Sequence, residues 1–296
     1  MTILAAQDRA QSGELVAVTG RRSPLVRVVR RPLGALALGI LVLLVFAAIA
    51  APLVTHYPPN QIAPAVRFHG PSTAHWFGTD ELGRDLFSRV VYGGRIALGI
   101  AFGATVVAMF LGVIWGFIAA QARGMLDEVL MRAVDVIMAI PLIMFSLILV
   151  VALGSDVVTL AVIIGLLLAP VTARVARAAV LSELRADYYQ AAIAVGASKP
   201  RVMLGEVLPN TAPVLIARAA IVAADAIIVE ASLSFIGLGV QPPAASWGTL
   251  TQQGYQQIFR ALWCIGFPGV VIFLAIWSLN TVGEHFQDTL DPRGQR

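Results

Sequence analysis

The 296-residue chain is short of charge and has a single cysteine and a single lysine. Charged residues make up 13% of the chain, whereas soluble globular proteins have roughly 25%. Together with 58% hydrophobic residues, this shortage excludes an intrinsically disordered chain and predicts an integral membrane protein. The lone Cys264 excludes an intrachain disulfide and argues against thiol redox chemistry.

The sequence also lacks the motifs of nucleotide, metal and catalytic sites. Its only lysine, Lys199, follows Ala197-Ser198 instead of a glycine-rich turn, so the chain has no phosphate-binding loop. The four histidines have no metal-ligand spacing, and no serine lies in a Gly-x-Ser-x-Gly motif. We therefore expect no catalytic residue, no metal and no cofactor on this chain. Nucleic-acid binding has no motif either.

Long apolar runs dominate what is present. Crossing a hydrocarbon core about 30 Å thick takes about 20 helical residues, and six runs have that length: 33–54, 96–120, 133–153, 157–173, 213–235 and 262–283. The first run exceeds the roughly 7–15 apolar residues of a cleavable signal peptide, so we interpret it as a retained anchor. The prediction is an all-α membrane protein with six transmembrane helices.

The distribution of basic residues predicts the orientation. Most of the 21 Lys and Arg residues lie in segments 1–32, 121–132, 174–210 and 284–296. The positive-inside rule then places both termini in the cytoplasm. The expected organisation is a basic cytoplasmic segment, a first anchor, an extracytoplasmic loop, a five-helix core and a cytoplasmic tail: 1–32, 33–54, 55–95, 96–283 and 284–296.

Two spacings predict local structure around the second span. Leu82, Leu86 and Val90 recur every four residues, which predicts a short helix at the outer membrane interface. Within the span, Gly112 and Gly116 form a small-xxx-small pair that lets helix backbones approach closely in lipid. We expect the second and fifth spans, both rich in small residues, to lie centrally in the bundle.

The predicted cytoplasmic segment 174–210 is far longer than a connection between two helices requires. Helix-forming residues dominate it up to Val195, after which Gly196 and Pro200 interrupt them. This pattern predicts a short helix, a turn and a second helix. A short exposed helix held by another protein can transmit rigid-body motion to the spans beside it. We therefore interpret the segment as a docking element.

The docking segment resembles a known one. Gln190-Ala191-Ala192, Gly196 and Leu208-Pro209 are similar to the Glu-Ala-Ala, Gly and Leu-Pro pattern by which bacterial ABC importer permeases dock onto their ATPase subunits. The chain departs from the pattern at Gln190, which replaces glutamate, and at Glu206, where an aliphatic residue is common. Further motifs accompany it: residues 75–85, 127–141 with Arg132 and Asp135, 231–243, Ser246-Trp247-Gly248 and Leu290-Asp291-Pro292-Arg293. From about residue 25 onward, the chain resembles the C-type permease subunit of the dipeptide/oligopeptide/nickel importer family.

The resemblance implies the type I ABC importer permease fold in the bacterial cytoplasmic membrane. It implies a homologous B-type permease, two cytoplasmic ATPase subunits that bind ATP and Mg, and an extracytoplasmic solute-binding protein as partners. In such a complex Ala191 and Ala192 would pack into an ATPase groove and Gly196 would allow the turn. The expected substrate is a di- or oligopeptide, with nickel chelates, glutathione or another small solute as alternatives.

An autonomous channel or secondary transporter is the alternative of another class. Such a carrier needs no ATPase-docking loop, and would more often show inverted repeats with several paired intramembrane charges. A membrane enzyme would need a convergent set of catalytic groups, which the sequence does not show. Segment 190–209 is therefore the feature that discriminates between these classes.

Ionisable residues inside the fifth span are candidates for a functional role. Asp225 lies twelve residues past Pro213, or about 18 Å, which places it near mid-membrane, where a charge needs a partner or water. It either lines the translocation path, where it could contact a peptide amine, or makes a structural hydrogen bond. Glu230 is a second candidate for the path, with a structural role favoured. We expect Arg218 to extend toward the cytoplasmic surface and Trp247 to anchor the outer interface.

Overall fold

A computed structural model describes residues 32–122 and 124–290, with side chains up to residue 287. The longer helices are α1 Pro32–Ile49, α2 Leu86–Ala122, α3 Met125–Ala139, α4 Leu142–Leu153, α5 Val157–Glu183, α6 Asp187–Ala194, α7 Leu208–Phe235, α8 Trp247–Gln256 and α9 Trp263–Leu290. Short helical turns at Ala51–Val54, Pro64–Val66, Lys199–Val202 and Met203–Val207 join them. Helices make up the regular structure of this part of the chain. The basic segment before residue 32 and the tail beyond 290 lie outside it.

Among the described residues, five helical segments are long and apolar enough to cross a membrane. They are α1, α2, α5, α9 and a continuous segment that joins the turns from Lys199 to α7. The remaining predicted span, 133–153, corresponds to α3 and α4, which count as one span only as a bent pair. The all-α fold is confirmed, and the described residues contain five to six candidate membrane helices where the sequence predicts six.

The helices extend well beyond the apolar runs that revealed them. Helix α2 begins at Leu86, ten residues before the predicted span, so the separate interfacial helix is a wrong prediction. The reason is a cap: Asp85 Oδ2 accepts hydrogen bonds of 2.8 Å from both the amide and the hydroxyl of Ser88. Helix α5 likewise continues to Glu183, and the helical segment that leads into α7 starts at Lys199, so the predicted loop 174–210 shortens to 184–198, which contains α6.

The predicted third span is not one helix. Helices α3 and α4 meet at an angle of 85°. Pro141 has no amide hydrogen and disfavours helical backbone in the residue before it, and Ile140 is extended with ψ of 127°. Helix α3 is amphipathic and is fixed to α5 by two ion pairs: Arg177 to Asp127 at 2.5 Å and Arg174 to Asp135 at 2.6 Å.

Small residues bring α2 and α5 into close contact. A Cβ atom on Gly112 would lie 2.6 Å from Thr172 Cβ, and one on Gly116 would lie 2.4 Å from the Ala173 carbonyl oxygen. Any larger residue at these two positions would separate the backbones, because these distances are far below van der Waals contact. The predicted small-residue contact is therefore confirmed for this pair, and α2 lies centrally, against α1, α5 and α7.

Buried apolar residues form two clusters. The larger cluster joins α2, α5, α7, α8 and α9. The smaller one lies at the end of the bundle that carries residues 184–198, and its buried members are Ala120, Val180, Leu184, Tyr189, Val202, Met203 and Val207. We call this end the loop side, the smaller cluster the loop-side cluster, and the opposite end of the bundle the far side.

The far side is closed by a cap that consists of residues 55–85 and α8. Asp80 lies at its centre, 2.6 Å from Arg84 Nε and 2.9 Å from Arg89 Nη1. Trp247, in the first turn of α8, is 2% exposed and donates a hydrogen bond of 2.9 Å to the Val90 carbonyl. The expectation that Trp247 anchors the membrane interface is thus wrong: it packs inside the cap, where its indole N–H satisfies a backbone carbonyl.

Candidate functional site

The candidate docking loop leaves the bundle at the end of α5. After Glu183 the chain makes a turn, and Ala186 adopts an extended conformation from which α6 starts. Helix α6 has eight residues, fewer than the roughly 12–15 that an isolated helix needs for stability in water. Packing stabilises it, because Tyr189 is 7% exposed and belongs to the loop-side cluster. The short helix predicted from the sequence is confirmed.

The turn after α6 depends on Gly196. Its φ is +88°, in the left-handed region that favours glycine. The Gly196 amide donates to the Ile193 carbonyl at 3.0 Å and the Ala197 amide to the Ala192 carbonyl at 3.0 Å. These two bonds define a Schellman motif, which ends α6 and redirects the chain toward Lys199. The turn and the second helix are where the sequence predicts them.

A polar contact ties α6 to the end of α5. The Tyr188 hydroxyl donates a 2.6 Å hydrogen bond to Glu183 Oε2. Partial burial, together with the Glu183 carboxylate, raises the pKa of the Tyr188 hydroxyl above its usual range. The hydroxyl therefore remains a donor at neutral pH, and α6 is held by both an apolar and a polar contact.

The predicted docking residues do not all face the same way. Gln190 uses its side-chain amide to cap α5, with Nε2 2.9 Å from the Leu184 carbonyl oxygen. Ala191 is exposed, whereas Ala192 is half-buried and packs against the loop-side cluster. Of the two alanines, Ala191 is the one available to a partner in this structure.

Leu208 and Pro209 begin α7, immediately after the π-helical turn Met203–Val207. Proline cannot donate the amide bond of an α-helix and crowds the carbonyl four residues before it, and a wider turn before it relieves that crowding. The loop-side cluster includes Val207 as well as Tyr189, so it joins the start of α7 to α6. The two halves of the docking pattern are therefore part of one packed unit.

Two exposed apolar residues beside the turn were not predicted as site residues. Val195 is 86% exposed and Leu204 is 68% exposed. Both lie on the loop side, where charged and small polar residues would be expected on a surface that meets only water. The sequence signal for Val195 was its position: it is an aliphatic residue directly before Gly196, the glycine of the helix-ending turn.

The intramembrane charges on α7 form a pair. Arg218 is 8% exposed, and its Nη2 lies 3.7 Å from Asp225 Oδ2. The expectation that Arg218 extends to the cytoplasmic surface is wrong, because the seven-residue spacing places both groups on one face of the helix. The Asp225 side chain remains 38% exposed. One flank of this carboxylate is therefore open on the surface of the chain.

Glu230 has a different environment from Asp225. It is 1% exposed, and its Oε1 accepts a 2.7 Å hydrogen bond from the Ser234 hydroxyl. Ser234 Oγ lies 3.4 Å from Ser246 Oγ, and Ser246 caps α8. This chain of contacts joins α7 to the far-side cap and favours the structural role for Glu230.

Comparison with known proteins identifies the family. The family described as "binding-protein-dependent transport system inner membrane component" matches residues 112–296, and the "N-terminal TM domain of oligopeptide transport permease C" matches residues 25–71. A peptide transport system permease protein of Brucella suis biovar 1 is 38% identical over 92% of this chain and 93% of its own length. The di/tripeptide transport system permease protein of Pseudomonas aeruginosa is 35% identical over 86% of each chain.

Solved structures agree at the level of the fold. The inward-facing methionine ABC transporter MetNI contains a chain that matches with a TM-score of 0.59 at 18% identity. The match covers 70% of this chain and 98% of that chain. From this fold and the family match over more than half its length, the chain belongs to the binding-protein-dependent transport system inner-membrane components and is a permease subunit of an ABC importer.

Proposed function

We propose that this chain forms one half of the translocation pathway of an ATP-driven peptide importer. The observation that carries the proposal is the docking loop: a short helix, ended by a glycine turn, that packs on its own apolar cluster and exposes Ala191 and Val195. Relatives named as peptide and di/tripeptide permeases support a peptide substrate. Nickel chelates, glutathione or another small solute are the alternatives for the same machine.

The proposed partners divide the work. Two ATPase subunits bind ATP and Mg and receive the docking loop, so the loop side faces the cytoplasm, as do both termini. A homologous B-type permease supplies the other half of the pathway, and a solute-binding protein docks at the far-side cap. The chain itself holds no cofactor in this scheme, and its part is mechanical.

Coupling follows from how the loop is attached. Helix α6 contacts the end of α5 through Tyr188 and the segment before α7 through the loop-side cluster. A force on α6 therefore acts on two membrane helices together rather than on a flexible connection. ATP-driven approach of the ATPases would move α5 and α7 and so change which side of the membrane the pathway opens to.

Asp225 is the proposed contact with solute. Its carboxylate is partly exposed in the membrane region, and Arg218 compensates its charge from one side only. A carboxylate with an open flank can attract the ammonium group of a peptide. Glu230, which is buried against Ser234, instead braces α7 against the far-side cap.

The test is uptake by the reconstituted complex in proteoliposomes, with labelled dialanine as probe and with reduced glutathione and a nickel chelate as competitors. Gly196→Asp should abolish co-purification of the ATPases and ATP-dependent uptake. Gly154→Asp is the matched control, because Gly154 also has positive φ and open space around it but lies outside the docking loop. If the purified chain transports solute without an ATPase, and Gly196→Asp changes nothing, the chain is an autonomous carrier instead.

A further inference from the structure

A groove runs along the outside of the bundle between α1 and α2. Its volume is about 560 Å³, and its floor is formed by Ala223 of α7 and Leu279 of α9. Its walls are apolar apart from Thr105 and Arg95, which line it together with residues such as Leu41, Val45, Leu98 and Phe102. A Cβ on Gly99, which also lines the groove, would meet no atom within 4 Å, so the groove is open at that point.

The groove has the length of one membrane leaflet. Along α2 it extends from Arg95 to Thr105, ten residues or about 15 Å of helix. Half of a hydrocarbon core about 30 Å thick is the same distance. The groove therefore covers the depth of the leaflet on the far side of the bundle.

A second, smaller cleft adjoins the groove. It has a volume of about 180 Å³ and is lined by Asn60, Arg89, Tyr92 and Pro243, among others. Arg95 lines both the cleft and the groove. No acidic residue lines either space within the described part of the chain. A cleft that carries arginine and asparagine side chains and an apolar groove meet at Arg95, as the headgroup and acyl chain of an amphiphile meet at its phosphate.

The charge of Arg95 lacks an acidic partner among the described residues. Its guanidinium group contacts the Ile49 carbonyl oxygen at 3.4 Å and the Tyr92 ring at 5.7 Å. Arg89, by contrast, has its charge met by Asp80 at 2.9 Å. A guanidinium group at the edge of an apolar region is stabilised by a phosphate, which it can bind with two parallel hydrogen bonds.

We propose that this side of the chain binds one phospholipid, with the phosphate at Arg95, the remaining headgroup in the smaller cleft beside Asn60 and one acyl chain in the groove between α1 and α2. The lipid would fill the space between the first helix and the core and so join α1 to the bundle. Binding of this kind is selective for an amphiphile, because it needs the charge and the apolar groove together.

The test is a titration of the purified full chain in detergent with dioleoyl-phosphatidylglycerol, followed by native mass spectrometry. We expect the native chain to retain one lipid. Arg95→Gln should weaken retention about tenfold through the lost charge-assisted bonds, and Gly99→Phe should fill the groove and abolish it. Glycerol 3-phosphate, which has the phosphate but no acyl chain, should not displace the lipid.

Two matched variants complete the test. Arg260→Gln removes the same charge from another exposed far-side position, and Gly39→Phe adds the same side chain at another open position, on α1. Both should retain lipid as the native chain does, and all variants must elute as monodisperse protein. Equal retention by native chain, Arg95→Gln and Gly99→Phe would overturn the proposal, as would equal loss in the two controls or displacement by glycerol 3-phosphate.

Discussion

The two ends of the bundle are stabilised by different kinds of contact. On the far side, buried ion pairs and hydrogen bonds join the cap to the membrane helices: Arg89 is 2% exposed and binds both Asp80 and Gln253. On the loop side, a small apolar cluster holds one short helix, and aliphatic side chains remain exposed. The far side pairs the buried charges of Asp80 and Arg89 within the chain, whereas the loop side exposes Val195 and Leu204 beside its docking helix.

Because of this difference, the stability of the fold and the docking of a partner depend on different residues. Loss of a buried charge partner in the cap destabilises the fold, because the remaining ion cannot be solvated. Loss of an exposed side chain on the loop side leaves the fold intact, since solvent already surrounds it. The following changes, ordered by their expected effect on the free energy of unfolding, are ways to break or sharpen that contrast.

Asp80→Ala should have the largest effect. It leaves Arg89 buried without its ion-pair partner and removes the acceptor for the Leu82 and Arg84 amides, at a cost of about 3–5 kcal/mol. Thermal unfolding of the purified chain in detergent measures this loss. Glu128→Ala, which removes a carboxylate from an exposed pair with Arg132 at 3.8 Å, should cost less than about 0.5 kcal/mol.

A double variant tests the cause of this loss. If the cost arises from the stranded guanidinium, Asp80→Ala with Arg89→Met should be more stable than Asp80→Ala alone. A double variant that is less stable than the single one would show that the cap depends on Arg89 for some other contact.

Trp247→Phe should have the second-largest effect. It should lower the free energy of unfolding by about 1–3 kcal/mol, because it leaves the buried Val90 carbonyl without its donor. Chemical denaturation in mixed micelles, followed by circular dichroism, can measure it. Trp76, which is 54% exposed, provides the control: Trp76→Phe should shift the midpoint little. Equal shifts for the two variants would contradict the buried position of Trp247.

Tyr188→Phe should cost about 1 kcal/mol, through the lost hydrogen bond to Glu183. The folded-state pKa of Tyr188 is raised above its ordinary value of 10.0. Its contribution to stability is therefore fully present below pH 10.0 and is lost as the pH rises through the folded-state pKa. The tyrosinate difference spectrum should lose a component that titrates above the ordinary tyrosine range in Tyr188→Phe. An unchanged spectrum would place the raised pKa elsewhere.

Val195→Asp should change the free energy of unfolding by no more than about 0.5 kcal/mol, because the side chain is 86% exposed. It should nevertheless weaken co-purification of the ATPase subunits, since it places a charge on the proposed contact surface. Ser198→Asp adds the same charge at an exposed position past the turn and serves as the control. If both variants bind the ATPases like the native chain, Val195 is outside the interface.

The membrane helices could be predicted from the sequence because their apolar runs are long. The ends of these helices could not be predicted, because a helix continues into charged sequence wherever a cap or an ion-pair partner stabilises the charged residues. Asp85 caps α2 ahead of its apolar run, and Arg174 and Arg177 of α5 pair with α3. Pro141 indicates a break in the helix, but a proline alone does not specify the angle of 85°.

More of the docking loop than of the charged sites could be predicted from the sequence. Gly196 and the helix before it follow from local propensity, which a sequence records directly. The direction of each side chain does not, since Ala192 turns inward to a cluster assembled from four separate segments. The position of the Arg218 side chain could not be predicted either. The sequence spacing allows it to reach the membrane surface or to pair with Asp225.

The π turn at Met203–Val207 sets an angle between two parts of the protein. It contains one residue more than an α-helical turn, and one residue corresponds to a rotation of about 100° about the helix axis. The number of residues between the docking loop and Asp225 therefore fixes the angle between them, measured as a rotation about the helix axis. Deleting a single residue from this turn would leave both surfaces chemically intact and misalign them by more than a quarter of a revolution.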